Sequence, residues 1–458
     1  MKYAILAAAL TLAVPAMALG AMWFSRIRAF LFSLMILSTA LGAHGSINAV
    51  SRSLYRGPDR GFEFTLADLI CWSLMVALIA CSPGKIEWWP RHSWLLLLFF
   101  LYACALASIS AEPLYTAFSL WKCLRIFCLY WCTVNCLRIG VSRQYLWFGF
   151  AGSAAVIITL AVFQKYLLHI YRINGPFDHS NTVPLYANLL LPVLLVFALC
   201  DKEVPLVRAV VSIVLSLGLL FAVLSTYSRA GMAFSGACAV GALVWANLRH
   251  PWTRVRISTV VLCVVFAAAA LRAAPHIIER FRNAPKASLV ARDEFNYAAR
   301  LMLLDHPFGV GLNNFSYVLT HAEKYRATFE AMKYEEQAGV CHHIYWLTAA
   351  ETGFLGLALY LLWIGRIAFD ALRGAWRQRT VYGALLFAIF LGLCALQASG
   401  FLEWAFRQTP VMQLFAITSG ASAAWIEKRR RRPRTSWSRA AVPVELPAAS
   451  GMAARAGA

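Results

Sequence analysis

The chain has 458 residues, 60% of them hydrophobic and only 14% charged, with a mean hydropathy of +0.63. A water-soluble domain carries roughly 25% charged residues to cover its surface, so this composition excludes a soluble fold, and its hydrophobicity excludes a disordered chain. With 42 Lys and Arg against 21 Asp and Glu the formal net charge is +21. In a chain this apolar the excess is assigned to cytoplasmic loops, where basic residues of membrane proteins collect, and not to nucleic acid.

Apolar runs near the ~20 residues that cross a bilayer as helix recur along the chain. Thirteen are read, at 3–23, 27–49, 64–82, 93–110, 114–137, 145–168, 183–200, 206–226, 230–247, 255–273, 344–364, 382–401 and 410–426. They predict an all-α polytopic integral membrane protein with about twelve transmembrane helices, counted from residue 27. The expected organisation is a signal-like or extra N-terminal segment (1–22), an N-terminal bundle (27–273), a long loop with helices (274–343), C-terminal helices (344–426) and a basic tail (427–458) expected to be disordered.

Lys and Arg fix the orientation. The tail Lys428-Arg429-Arg430-Arg431-Arg432-Pro433-Arg434 is placed in the cytoplasm, within reach of anionic lipid. Alternation then puts 83–92, 138–144, 201–205, 248–254 and 365–381 inside, and all carry Lys or Arg. The connections 50–63, 111–113, 169–182, 227–229, 274–343 and 402–409 fall outside. Residues 1–22 do not fit this alternation. Lys2, an apolar stretch and Ala16-Met17-Ala18 resemble a signal peptide, but cleavage or an N-inside span would invert the next helix. An extra N-outside span, a non-spanning segment and a start at Met22 all remain open.

Nearly all twelve cysteines lie in apolar runs, among them Cys123, Cys128, Cys132 and Cys136, and read as small packing residues. Cys341 alone lies in the long loop. No metal site or cofactor is expected.

Four polar stretches share the outer face. The first, Arg172 to Asn181, has Gly-Pro and Asp/Ser/Asn turn signals before a helix start; it is either a structural loop or a loop lining a polar substrate through Arg172, His179 and Asn181. In the second, Ser225-Thr226-Tyr227-Ser228-Arg229-Ala230-Gly231, Arg229 sits between two spans with almost no loop. It either snorkels to water and lipid phosphate or forms an anion site through its planar fork. The third carries Arg292, then an amphipathic helix, then His306-Pro307-Phe308-Gly309-Val310-Gly311, loosely like a phosphate loop; Arg292 is either a solvated charge or part of a site. The fourth is His342-His343-Ile344-Tyr345-Trp346, at the water edge of a span. It is either an interfacial aromatic belt or supplies an imidazole base at neutral pH, with His343 and Tyr345 as substrate contacts. Glu351, two turns deeper, needs a cationic partner. Lys122 and Arg125, three apart on one helix face, would meet a lipid-linked phosphate from the bilayer, or else pair with Glu112 or Glu403.

The order of these motifs resembles the O-antigen ligase family of bacterial inner-membrane glycosyltransferases, which also includes O-antigen polymerases and protein O-oligosaccharyltransferases. The carriers are Asn174-Gly175-Pro176-Phe177-Asp178-His179-Ser180-Asn181, Ser228-Arg229-Ala230-Gly231, Arg292 ahead of His306 to Gly311, and His342 ahead of Glu351-Thr352-Gly353. The family usually has Asn where this chain has His343, so His343 could share or take the role of its neighbour. The resemblance implies a fold like that of C-type glycosyltransferases, with Arg229, Arg292 and His342 as the functional residues. It also implies transfer of a glycan from undecaprenyl pyrophosphate to a sugar hydroxyl of lipid A–core at the periplasmic face, metal-independent and inverting. Polymerase and protein-ligase activities stay as alternatives within the family. A transporter of an anionic substrate is the alternative outside it, disfavoured because the polar residues gather at one face and no internal repeat is visible.

Overall fold

The computed structural model describes residues 2–253, 255–264, 268, 286–328 and 339–431. It is a bundle of helices, and nine of those described are long and apolar enough to cross a membrane. These are α1 (Lys2–Trp23), a helix from Ser25 to Gly42 whose α-helical part is α2 (Ser25–Ser38), α5 (Pro113–Arg138), α6 (Arg143–Leu167), α7 (Thr182–Cys200), α8 (Leu206–Ser225), α9 (Arg229–Arg249), α14 (Ile344–Arg377) and α15 (Val381–Ser399). Shorter apolar helices are α3 (Leu66–Cys81), α4 (Ser93–Leu106) and α10 (Val255–Val264). The chain is a polytopic membrane protein. The segment expected at 410–426 lies in α16 (Thr409–Arg431). Of the long loop, α11 (Lys286–Asp305), α12 (Phe315–His321) and α13 (Glu323–Thr328) are described. Residues 269–285 and 329–338 of the expected last N-terminal span and loop, and the tail from 432, lie outside the described residues.

Every residue of α7 is buried, as expected of a helix that is apolar on all sides. It forms the axis of the bundle, with α6, α8, α9, α15 and α16 packed around it. Helix α1 packs on α2 and α3. It runs between the two ends of the bundle: Lys2 Nζ donates to the Asn48 carbonyl at 3.3 Å, while Met22 at its other end accepts from Cys81 Sγ.

One feature departs from an all-helical reading. The run expected as a span over 27–49 stops being α-helical at Ser38, and Gly42 takes φ 58°, where a Cβ would strike the Pro176 carbonyl. The chain then forms β1 (Ser46–Ala49), which pairs antiparallel with β2 (Phe62–Thr65). This hairpin is stitched into the bundle. Thr65 and Asp68 form a capping box that starts α3, a device that satisfies two orphan backbone donors at once. Glu63 accepts from Arg125 of α5 and Thr409 of α16.

A second device is a break in α14. Gly353 has φ 66° and ψ −172°, and the segment 307–311 lies in the gap. Phe354 N–H donates to the Pro307 carbonyl at 3.2 Å, Val310 N–H to Ala350 at 3.0 Å and Gly311 N–H to Glu351 at 3.0 Å. Gly309 and Gly311 take φ 91° and 104°, a region open to glycine at little cost. The Gly-Val-Gly run is therefore a backbone clasp on the broken helix, and its N–H groups at Val310 and Gly311 are committed to carbonyls, unlike those of a phosphate loop.

Candidate active site

A cavity of about 770 Å³ lies at one end of the bundle. Its walls come from the end of α2, the start of α3, the segment before α7, the residues just before α14, and the connection 400–408 into α16. The connection 83–92 and the C-terminal end of α14, both carrying Lys or Arg and joined by Arg91 and Asp370, are at the other helix ends.

Glu403 organises the cavity. Its side chain is only 10% exposed. Oε1 accepts from Asn181 Nδ2 and from Arg292 Nη2, the latter at 3.0 Å, and Oε2 lies 3.3 Å from His342 Nδ1. Asn181 in turn accepts from Arg172 Nη2 at 2.6 Å. Asn181, Arg292 and His342, which come from three separate stretches of sequence, thus meet on one carboxylate, with Arg172 joined to it through Asn181, and all four line the cavity. Charge-assisted bonds of this kind are roughly twice as strong as neutral ones. An ionised carboxylate only accepts, so the contact selects the neutral tautomer of His342 with the proton on Nδ1 and the lone pair on Nε2.

The loop holding Arg172 and Asn181 is set by its neighbours. Gln164 of α6 accepts from the backbone N–H groups of Asn174 and Gly175 and donates to the Gly175 carbonyl. Arg172 Nε donates to the Thr226 carbonyl at 3.0 Å. His179 lines the cavity with its ring edge-on to Trp404, centroids 5.9 Å apart.

Other expected site residues lie elsewhere. Arg229 opens α9, is exposed and does not line the cavity; its segment meets the 172–173 turn through Thr226 and Ser225, which hold that turn's side chain and backbone. His343 is the N-cap of α14, its Nδ1 accepting from Trp346 N–H at 3.3 Å. Burial, with a further push from the Arg300 guanidinium, holds its imidazole below the usual 6.5. Tyr345 donates to the Gln397 carbonyl at 2.8 Å and does not line the cavity.

Lys122 and Arg125 are corrected most clearly. Neither is turned to the bilayer, and neither pairs with Glu112 or Glu403. Lys122 is buried in an ion pair with Asp59 and donates to the Arg407 carbonyl at 2.8 Å. Arg125 is buried against Asp68 at 3.0 Å and Glu63 at 3.2 Å. A buried cation without such partners would be very costly, and the hairpin supplies Asp59 and Glu63 while the first turn of α3 supplies Asp68. The partner expected for Glu351 is Arg407, which itself lines the cavity.

Sequence reading missed the central place of Glu403 and the cavity-facing Arg56 and Arg60 of the hairpin. A signal for the arginines existed. They sit in a connection placed outside, where the positive-inside rule disfavours them. Glu403 gave no signal beyond being a carboxylate in the last outer connection.

Among the described residues, the fold is a polytopic helical bundle with a polar cavity in which Glu403 joins an imidazole to a guanidinium group. Residues 213–361 match the model of the family described as O-Antigen ligase. The match covers about a third of the chain and supports the resemblance to the O-antigen ligase/polymerase superfamily that its motifs carry. Arg229, Arg292 and His342 fall inside the matched region; Arg172, Asn181 and Glu403 fall outside it. No curated protein matches the chain.

Proposed function

We propose that this protein is an O-antigen ligase of the bacterial inner membrane. It transfers a glycan from undecaprenyl pyrophosphate to a sugar hydroxyl of lipid A–core, with the active site on the periplasmic side and the C-terminus in the cytoplasm. The meeting of His342 and Arg292 on Glu403 carries the reading. The orientation rests on the cavity being at the helix ends away from the Lys- and Arg-bearing short connections.

His342 Nε2 accepts the proton of the acceptor hydroxyl as its oxygen attacks the anomeric carbon. The bond from that carbon to the phosphate oxygen breaks, and the diphosphate leaves with the electron pair. Arg292, with Arg172 beside it, stabilises the charge that grows on the departing oxygen. Glu403 is a positioning residue: it holds the His342 tautomer and, by accepting from Arg292, aims both groups into one space. A single displacement inverts the anomeric carbon. General-base assistance of this type contributes ~10²–10⁴-fold. Arg229, outside the cavity, is assigned to the donor before it is seated rather than to the leaving group.

The test is transfer in vitro by the purified full-length protein, from a defined lipid-linked glycan to lipid A–core. His342→Ala is expected to abolish transfer while donor binding survives. Wild-type transfer by that variant, or polymer growth on the donor with no product on lipid A–core, would overturn the ligase reading.

A further inference from the structure

The cavity has cationic groups that the proposed transfer leaves unused. Arg56 and Arg60 lie in the hairpin turn Arg56-Gly57-Pro58-Asp59-Arg60-Gly61 and both line the cavity. Arg56 is half-buried and Arg60 exposed. Among the described residues neither guanidinium has a hydrogen-bond or ion-pair partner in the protein. The other cavity arginines are engaged: Arg172 with Asn181 and Thr226, Arg292 with Glu403, Arg407 with Glu351.

The turn that carries the two is held firmly. Tyr55 is buried, stacks on Tyr115 with centroids 3.8 Å apart and donates to the Asn313 carbonyl. Asp59 is buried, paired with Lys122, and accepts from Ser119. Asn313 clamps its backbone from both sides, accepting from Asp59 N–H at 3.2 Å and donating to the Asp59 carbonyl at 2.8 Å. At Gly61 an added Cβ would come within 2.8 Å of the Ala49 carbonyl, so the turn has no slack. The hairpin's own carboxylates are engaged elsewhere, Asp59 by Lys122 and Glu63 by Arg125 and Thr409. A rigid turn is thus presenting two uncompensated guanidinium forks to a polar cavity, an arrangement complementary to a phosphate.

We infer that Arg56 and Arg60 form a second phosphate-binding subsite in this cavity, built on the hairpin and separate from the cluster around Glu403. The inference deepens the transferase reading and rests on it for the identity of the phosphate, which is either the second phosphate of the donor or one carried by the acceptor saccharide. Phosphate binding itself is testable without turnover.

The experiment uses the full chain in detergent. Inorganic phosphate and pyrophosphate are titrated by calorimetry into wild type, Arg292→Ala, and Arg292→Ala combined with Arg56→Gln and Arg60→Gln. The hairpin substitutions are expected to weaken phosphate binding ~10- to 100-fold in the Arg292→Ala background, as loss of one charge-assisted bond would. Affinity unchanged in the triple variant would overturn the subsite, whatever the fate of the transferase reading. Should the paired glutamines not fold, Arg56→Lys with Arg60→Lys replaces them, and is expected to lose affinity because Lys lacks the fork. In the transfer assay, phosphorylated and dephosphorylated acceptors then identify the source. A raised KM for the phosphorylated acceptor alone assigns the subsite to the acceptor; a raised donor KM assigns it to the diphosphate; neither rising would overturn a role in substrate binding.

Discussion

Glu403→Gln is the sharpest test of how the site works. The amide is isosteric with the carboxylate. Its oxygen can still accept from Asn181 Nδ2 and Arg292 Nη2, the two partners of Oε1. Its nitrogen replaces Oε2 and now donates toward His342 Nδ1, 3.3 Å away. Two donors cannot share that line, so the imidazole moves its proton to Nε2 and loses the lone pair that faces the acceptor. The lost bond is charge-assisted and only slightly exposed, worth ~1.5–3 kcal/mol, which is about 10- to 100-fold in rate at 1.4 kcal/mol per decade. Because the loss is confined to the step in which the hydroxyl is deprotonated, kcat should fall while donor and acceptor KM hold. The assay is single-turnover transfer by purified protein, with thermal unfolding to establish that the fold survives. Activity within about twofold of wild type, the range of an inert surface change, would refute the positioning role. A loss expressed mainly in KM would refute the tautomer argument.

The remaining predictions separate scaffold from chemistry. His343→Asn should retain activity, because Asn also caps a helix well, while His342→Asn should not; paired transfer assays decide. The same His343→Asn change should flatten the acid limb of stability. His343 titrates below 6.5 in the folded protein, so between that lowered value and ~6.5 the unfolded chain binds the extra proton, and wild-type stability falls as pH drops through this window; thermal unfolding against pH reads it. Gly353→Ala should destabilise by ~1–3 kcal/mol from a positive φ and overpacking against the Pro307–Phe308 backbone, whereas Gly365→Ala in the same helix, with open space around it, should not destabilise; a Gly353→Ala melting temperature equal to wild type would contradict the clasp. Arg407→Met leaves Glu351 buried and unpaired and should cost ~3–5 kcal/mol, and adding Glu351→Gln should recover much of it.

The helical plan was legible because hydropathy and the length of a bilayer crossing act locally. Each of the thirteen apolar runs falls on a described helix, wholly or in part. What was not legible was set by contacts across the sequence. The break at Gly353 is specified by a loop more than forty residues earlier in the chain, so a continuous apolar run gives no sign of it. The polar segment after Gly42 becomes a strand because Phe62–Thr65 is there to pair with it. Lys122 and Arg125 carry the same charges whether they meet lipid or protein; the hairpin carboxylates Asp59 and Glu63 and Asp68 of α3 decide the matter. In the site, residue types that advertise chemistry were visible singly, but Glu403 was read only as a possible partner of Lys122 and Arg125, because its importance is purely spatial.

Charge placement also constrains how the hairpin came to carry arginines. Outer connections of membrane proteins are depleted in Lys and Arg, yet the turn that forms this hairpin, outside in the proposed orientation, holds Arg52, Arg56 and Arg60 within nine residues. Arginines retained against that bias need a compensating role. Snorkelling to lipid phosphate would serve a side chain on a helix flank, but Arg56 and Arg60 face a cavity, beside buried anchors that remove the freedom to turn away. The burial of Lys122 supports the same point from beneath. By neutralising Asp59 it removes the one carboxylate between the two arginines in the turn, and so leaves their charge undiminished for an anion that enters from the cavity.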